Sequence, residues 1–471
     1  MDSRKEDLLR RLPSVDSLLA DATVQAFLKI HPRALVVDSV REYLDSLRQR
    51  ILQGERSVPT GNGPWTEGIA DFFEHRLQAT LRRAVNGTGI VLHTGLGRAP
   101  FADAAQSALA AVAAGYATLQ VDPETGKRGD RHTHVELLLC RITGAEAALV
   151  VNNNAAATLL VLNTLAEGKE AVVSRGELLE IGGSFRIPDV MKRSGARLVE
   201  VGTTNRTHLR DYETAVTPDT ALLLKVHQSN YRIVGFVKQV PIGELAGLAH
   251  AKGVWAVDDL GSGALVDLSL WGLPKEPTVQ DSVGAGADAV CFSGDKLIGG
   301  PQCGVVVGKK TVIDRMKKNP LMRALRCDKM TYAVLAATLR LFLDPKQLPS
   351  SHPVLRMLTE PPESVRKRCR SLRRRLDAVL GSAGSTEVLP GASEAGSGSL
   401  AAIDLPTWVV SVSVHGFSAE ELARRFRLSV PAVFGRVHEG RFLIDCRTIL
   451  PDEMMYIQSA LQGIVSSGST V

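Results

Sequence analysis

The chain has 471 residues, 44% hydrophobic, 23% charged and only 5% aromatic, with a formal net charge of +6. That composition predicts two or three domains with ample apolar material for a core and argues against a base-stacking, single-strand-binding surface. The opening MDSRKEDLLRRLPSVDSLLA has no apolar signal core and no run of 18 apolar residues occurs anywhere, so a secreted or membrane-spanning protein is not expected.

The first 85 residues read as helical. In PRALVVDSVREYLDSLRQRILQG, apolar side chains recur at Val36, Val40, Tyr43, Leu44, Leu47 and Ile51, with Gly54 as the stop. Gly and Pro in RSVPTGNGPW interrupt the pattern. The expected division is a helical domain over 1–64 and a linking helix over 65–85. From Asn86 the texture changes. Short β-branched runs (AALVVN, AVVSR, RLVEVG, TALLLKVH, GVWAVDDL, AVCFSG) alternate with helical stretches. This is the signature of an α/β domain with a mainly parallel central sheet, expected over 86–345. Ligands of such sheets sit beyond the carboxyl ends of the strands, so the polar residues after each run are the ones to inspect.

Beyond Lys310 the strand pattern fades into a basic helical region. Residues 309–375 hold 18 Lys/Arg against 5 Asp/Glu, densest in VRKRCRSLRRR. A solvated helix face is the plain reading of such a run, and a polyanion or phosphate partner the functional one. GASEAGSGSLAA reads as a flexible loop. The strand-like TWVVSVSV and RFLIDC with the helical SAEELARRF read as a small C-terminal α+β domain, 346–471. Six scattered cysteines form no C-x-x-C pair, which suggests neither a structural zinc site nor a disulfide framework and fits a reducing cytoplasm.

Three features carry chemistry. In CFSGDKLIGGPQCG a strand ends near Phe292, and Ser293 and Lys296 follow in a Gly-rich turn. A partly desolvated lysine there has a lowered pKa and serves as a Schiff-base nucleophile, while Ser293 can reach a cofactor phosphate. In GVWAVDDLGSG, Asp258 ends a strand and can pair with a pyridinium nitrogen; Asp259 is the alternative, and the strand period favours Asp258. In ALVVNNNAAATLL, a strand runs through Asn152, Asn153 and Asn154 into a helix whose N-terminus suits a phosphate. Each feature has a plainer reading: a loop lysine, a turn-capping or magnesium-binding Asp, ordinary N-capping. Together, and in this order, they form the phosphate cradle, ring partner and lysine of a fold-type-I pyridoxal-phosphate enzyme. Arg98, Arg128, Arg131, Arg323 and Arg326 offer guanidinium forks for an oxyanion or for internal ion pairs. His132 and His134 lack a third metal ligand and read as solvent- or substrate-facing.

With these residues in place, the chain resembles the bacterial selenocysteine synthase family, the L-seryl-tRNA(Sec) selenium transferases. The resemblance rests on NGTGIVLHTGLGRAP, ITGAEAALVVNNNAAATLL, SRGELLEIGGSFRIPDVM, VEVGTTNRTHLRDYE, HQSNYRIVGF, FSGDKLIGGPQCG, LMRALRCDKMT and GRVHEGRFLIDCRT, with LPSVDSLL near the start. It implies a fold-type-I enzyme with pyridoxal 5'-phosphate on Lys296 and a catalytic Asp295. It places selenophosphate at Arg98, Arg323 and Arg326, and tRNA recognition in the N-terminal domain. The reaction implied converts L-seryl-tRNA(Sec) to L-selenocysteinyl-tRNA(Sec) through a dehydroalanyl-tRNA intermediate, in a cytoplasmic ring of ten subunits with active sites between paired subunits. Gly95 stands where the family pattern has Asn, and Cys303 where it has Ala. Two rivals remain: a pyridoxal-phosphate lyase for a small phosphorylated amino acid or amino sugar, which residues 1–85 argue against, and a non-catalytic RNA-binding protein, which retention of Lys296, Asp258 and Ser293 argues against.

Overall fold

The computed structural model describes residues 3–54, 62–77, 80–181, 185–228 and 230–468, grouped into two compact units, 1–83 and 84–471. Residues 56–61 of the interrupting loop RSVPTGNGPW lie outside the described residues.

The first unit is helical: α1 (Ser3–Arg10), α2 (Val15–Leu19), α3 (Ala22–Ile30), α4 (Arg33–Leu52) and α5 (Asn62–Leu77). Ser14 and Asp21 cap α2 and α3 by accepting the N–H groups of Ser17 and Thr23, satisfying donors a helix start leaves open. The periodic face of α4, Val36, Val40, Tyr43, Leu44, Leu47 and Ile51, is buried. Ile69 and Phe73 of α5 pack into the same core. Gly54 follows α4 with φ +101°, a conformation that favours glycine and stops the helix.

The second unit is built on seven strands: β1 (Ala147–Val151), β2 (Glu170–Ser174), β3 (Arg197–Val201), β4 (Thr220–Val226), β5 (Trp255–Gly261), β6 (Ala289–Ser293) and β7 (Gly304–Gly308). Their order is β1-β7-β6-β5-β4-β2-β3. Only β7 is antiparallel to its neighbours, so the other six point their carboxyl ends to one edge. The six runs read from the sequence are six of these strands; β7, the short GVVVG, is the addition. Both sheet faces are covered, one around α6 (Asn154–Ala166), as the continuous burial of β1, β6 and β7 requires.

A second, four-stranded antiparallel sheet closes the chain: β8 (Gly384–Glu394), β9 (Asp404–Val414), β10 (Arg436–His438) and β11 (Arg441–Asp445), ordered β8-β9-β11-β10. Its core is shared with the long helix α7 (Pro362–Leu380), whose Val365, Cys369, Leu372, Leu376 and Leu380 are buried. GASEAGSGSLAA is a held segment where flexibility was expected. Its first residues belong to β8. Beyond them the Ser397 hydroxyl donates to Leu92 O at 2.5 Å, and the Leu400 N–H donates to Glu276 Oε1 at 2.6 Å. No helix among the described residues is long and apolar enough to cross a membrane.

Candidate active site

The parallel strands end at a cavity of about 460 Å³. Ser293 closes β6, and the turn after it brings Lys296 into the cavity wall. Gly299 makes that turn possible. It has φ +68°, and a Cβ there would lie 2.4 Å from the His352 ring. His352 packs in that space and donates from Nε2 to Ile298 O at 2.7 Å while accepting the Leu355 N–H, so burial holds it neutral, its pKa pushed down to about 4. Lys296 is itself buried. Desolvation, helped by the nearby Arg98 guanidinium, lowers its pKa, the condition for a nucleophilic amine.

The carboxylate facing this lysine is Asp259, which corrects the reading of Asp258. Val257 and Asp259 lie on the α6 side of β5, and Asp259 and Gly261 line the cavity; a Cβ on Gly261 would lie 3.9 Å from Lys296 Nζ. Asp258 points through the other face, where its Oδ2 accepts the Ser282 hydroxyl at 2.6 Å and its Oδ1 has no partner. The strand alternates as expected; which face the cavity occupies is set by the helix packed on the sheet. Asp259 accepts from Asn154 Nδ2 and Thr158 Oγ1, each at 2.9 Å. Burial raises its pKa, and those two bonds and Lys296 pull it back.

Asn153 and Asn154 line the cavity with Ala155. Asn153 caps α6 by accepting the Ala156 N–H at 2.8 Å, which leaves the first N–H groups of the helix for an anion. The turn fits because β7 begins with glycine: a Cβ on Gly304 would sit 2.1 Å from Asn153 O. Asn152 does not belong to the wall. It is exposed, and its N–H donates to Leu325 O at 2.9 Å.

Arg98 reaches the cavity from a left-handed backbone (φ 63°) just after Gly97, strain of a kind that persists where function holds it. Its Nη1 donates to Asp295 Oδ2 at 2.7 Å. Arg323 and Arg326 do not line this cavity. Both are exposed, on and just after α-helical Leu321–Leu325. The Arg323 guanidinium, then desolvation, Arg131 and Arg128, lower the pKa of Arg326: four arginines form one electropositive group. Arg131 is anchored within it by Cys327 O and Gln120 Oε1, each at 2.5 Å. His132 is a core residue where a solvent- or substrate-facing one was expected. It is buried against the Tyr332 hydroxyl at 3.0 Å, and burial pushes its pKa down to about 4. His134 is exposed and reaches Leu119 O at 3.1 Å.

Sequence reading passed over His227, Thr94, Gln302 and Ser397, all on the cavity wall. His227 is the first polar residue after β4 and was findable on that ground; its Nε2 lies 3.3 Å from the buried Glu276. Ser397 arrives from a distant segment and has no local signal.

The residues present fit pyridoxal phosphate. Asn154 Oδ1 is buried at the cavity without a partner, a carboxylate and a depressed lysine face each other, and an open helix N-terminus adjoins both.

Comparison with known proteins agrees. Residues 84–450 match the family model described as L-seryl-tRNA selenium transferase, and residues 9–48 match the one described as selenocysteine synthase N terminal. The chain is 50% identical over 462 residues to the L-seryl-tRNA(Sec) selenium transferase of Nitratidesulfovibrio vulgaris, covering 97% of this chain and 98% of that one. It is 48% identical over 460 residues to the enzyme of the same name from Geobacter sulfurreducens, covering 98% and 100%. Among solved structures, D-glucosaminate-6-phosphate ammonia-lyase aligns with a TM-score of 0.56 at 20% identity, over 84% of this chain and 99% of that one, a likeness of fold. On these full-length matches, the chain belongs to the L-seryl-tRNA selenium transferase family.

Proposed function

We propose that this protein converts L-seryl-tRNA(Sec) to L-selenocysteinyl-tRNA(Sec), with selenophosphate as selenium donor and pyridoxal phosphate as cofactor. The observation that carries the reading is the buried, depressed Lys296 set against Asp259 at the carboxyl edge of the sheet, in a chain about half identical to such transferases along its whole length.

When bound, the cofactor supplies an electron sink for charge developing at the seryl α-carbon. Lys296 would hold it, Asp259 would pair with its ring nitrogen, and the α6 N-terminus with Asn153, Asn154 and Ser293 would take its phosphate. Lys296, its pKa lowered by burial, is the base placed to accept the α-proton. Asp295, tied to Arg98, fixes the direction of that guanidinium, whose remaining N–H groups face an incoming oxyanion. The proton taken up by Lys296 would then pass to the serine β-hydroxyl, which leaves as water and opens the β-carbon to selenium.

Arg323 and Arg326 we assign to the same donor, at the cavity of a neighbouring subunit. Their exposure and mutual repulsion support a site completed by an anion across an interface, and the family resemblance supports a ring of ten. The N-terminal unit is read as the tRNA-recognising part and the cytoplasm as the compartment, where aminoacylated tRNA is available.

The test is turnover of purified protein with seryl-tRNA(Sec) and selenophosphate. Selenocysteinyl-tRNA should accumulate, and borohydride should trap the cofactor on Lys296. A protein without a cofactor, or one trapped on another lysine, sinks the reading.

A further inference from the structure

The exposed face of α7 is not used by the fold or by the cavity. Its seven Lys/Arg residues divide by role. Arg368 donates to Glu360 Oε2 at 2.8 Å and also bonds Ile449 O. Arg366 lies 4.1 Å from the centre of the Trp408 ring and 3.8 Å from Glu363, and Arg373 pairs with Asp377 at 3.2 Å. These three are committed to the protein. Lys367, Arg370, Arg374 and Arg375 are exposed and make no ion pair among the described residues. The helix's own acids, Glu363 and Asp377, stand toward its ends and are already engaged.

Lys367, Arg370 and Arg374 recur at three- and four-residue spacing and therefore form one stripe, with steps of about 4.5 and 6 Å along the axis. Like charges so spaced repel. The helix tolerates this because its opposite face is fully committed to the core, through Val365, Cys369, Leu372, Leu376 and Leu380. A face that needs only solubility is served as well by mixed charges. A stripe of unpaired cations is instead complementary to a row of phosphates on one nucleic-acid strand, the contacts that position a nucleic acid without reading its bases.

We propose that the Lys367–Arg370–Arg374 stripe, with Arg375 beside it, is a second tRNA contact: a sequence-independent clamp on the phosphate backbone, separate from the N-terminal unit. The proposal rests on the tRNA substrate read above and adds where on the core that polyanion is held.

The experiment compares the full-length protein with a Lys367→Gln/Arg370→Gln/Arg374→Gln variant, titrated with transcripts of tRNA(Sec) and tRNA(Ser) between 50 and 200 mM KCl, concentrations in the range where counterion release dominates about such contacts. Each lost phosphate contact reduces the slope of log affinity against log salt by about 0.7–0.9, so the triple variant should lose about two to three units. Both tRNAs should weaken by the same factor, leaving their ratio intact. KM for seryl-tRNA(Sec) should rise while kcat at saturation holds. Arg370→Lys/Arg374→Lys should keep the wild-type slope, since the slope counts the phosphates neutralised by Lys or Arg alike. A wild-type slope in the triple variant, or a loss confined to tRNA(Sec), overturns the proposal while leaving the function standing. Unchanged tRNA binding with lost binding to phosphatidylserine vesicles overturns it in favour of a lipid surface. A wild-type protein that binds neither tRNA overturns the function as well.

Discussion

Two neighbouring aspartates make opposite predictions. Burial pushes Asp258 from 3.8 up to about 6. One pKa unit is worth about 1.4 kcal/mol, so keeping Asp258 ionised at pH 8 costs the fold about 3 kcal/mol. The folded state holds its proton more tightly than the unfolded chain, and stability therefore falls as pH rises from about 4 to 6 and is flat above, as far as this group goes. Asp258→Asn removes the penalty and keeps a partner for Ser282, at a cost of about 1 kcal/mol for an unmet amide donor. Denaturant unfolding at pH 8 should show a gain of about 1–2 kcal/mol, and at pH 4 little or none. Cofactor content and turnover should be retained. Asp259→Asn should do the reverse. It keeps the volume and the Thr158 contact but removes the charge facing the cavity. Losing a hydrogen bond to a charged group, about 1.5–3 kcal/mol, lowers turnover by roughly 10–150-fold and loosens the cofactor. The paired readout is the visible absorbance of lysine-bound cofactor and single-turnover transfer. If Asp258→Asn loses cofactor and Asp259→Asn keeps full activity, the orientation of β5 and the role assigned to Asp259 are both refuted.

Replacing Arg323 or Arg326 with Ala should lower selenium transfer by about 10–100-fold per site with the cofactor band intact, and Lys should rescue only in part; a normal transfer rate ends their assignment to the donor. Arg98→Ala should lose transfer to a similar degree, measured with saturating seryl-tRNA, because it also releases Asp295. Deleting residues 1–83, the first compact unit, should abolish the preference for tRNA(Sec) over tRNA(Ser) and leave a folded protein with cofactor on Lys296; an unchanged preference refutes the N-terminal assignment. His352 is held neutral, its pKa moved from 6.5 to about 4, so its contribution is complete above pH 6.5 and is lost as pH falls toward 4, by up to about 3 kcal/mol. His132 acts in the same direction. His352→Gln should therefore flatten part of the decline in stability between pH 6.5 and 4.5, and an unaltered pH profile in unfolding would refute the role given to its burial.

What the sequence disclosed depended on how local the determining physics is. Lys296 was legible because a β-branched run, a hydroxyl and a Gly-rich turn lie together in one short segment. The apolar face of α4 was legible because helical periodicity and burial are the same pattern read twice. The choice between Asp258 and Asp259 was not: alternation says that the two side chains point apart, but which face the cavity takes depends on α6, from far upstream, and on a register shift between Asp259 and Gly261. His132 read as solvent- or substrate-facing because Tyr332, its partner, is distant in sequence. Arg323 and Arg326 present a third case, since neither lines the cavity at the sheet edge.

Gly304 ties these segments together in a way that bears on how the protein comes to be made. It pairs with Val151 on one side and with Ser293 on the other, so a single residue fixes the spacing between the helix that would take the phosphate and the turn that carries the lysine. During synthesis the first of these leaves the ribosome long before the second, and the two are not in register until β7, antiparallel to both neighbours, lies between their strands. Contacts this remote form slowly. The pocket is complete only once that strand is in place, and uptake of pyridoxal phosphate in a refolding experiment would time its insertion.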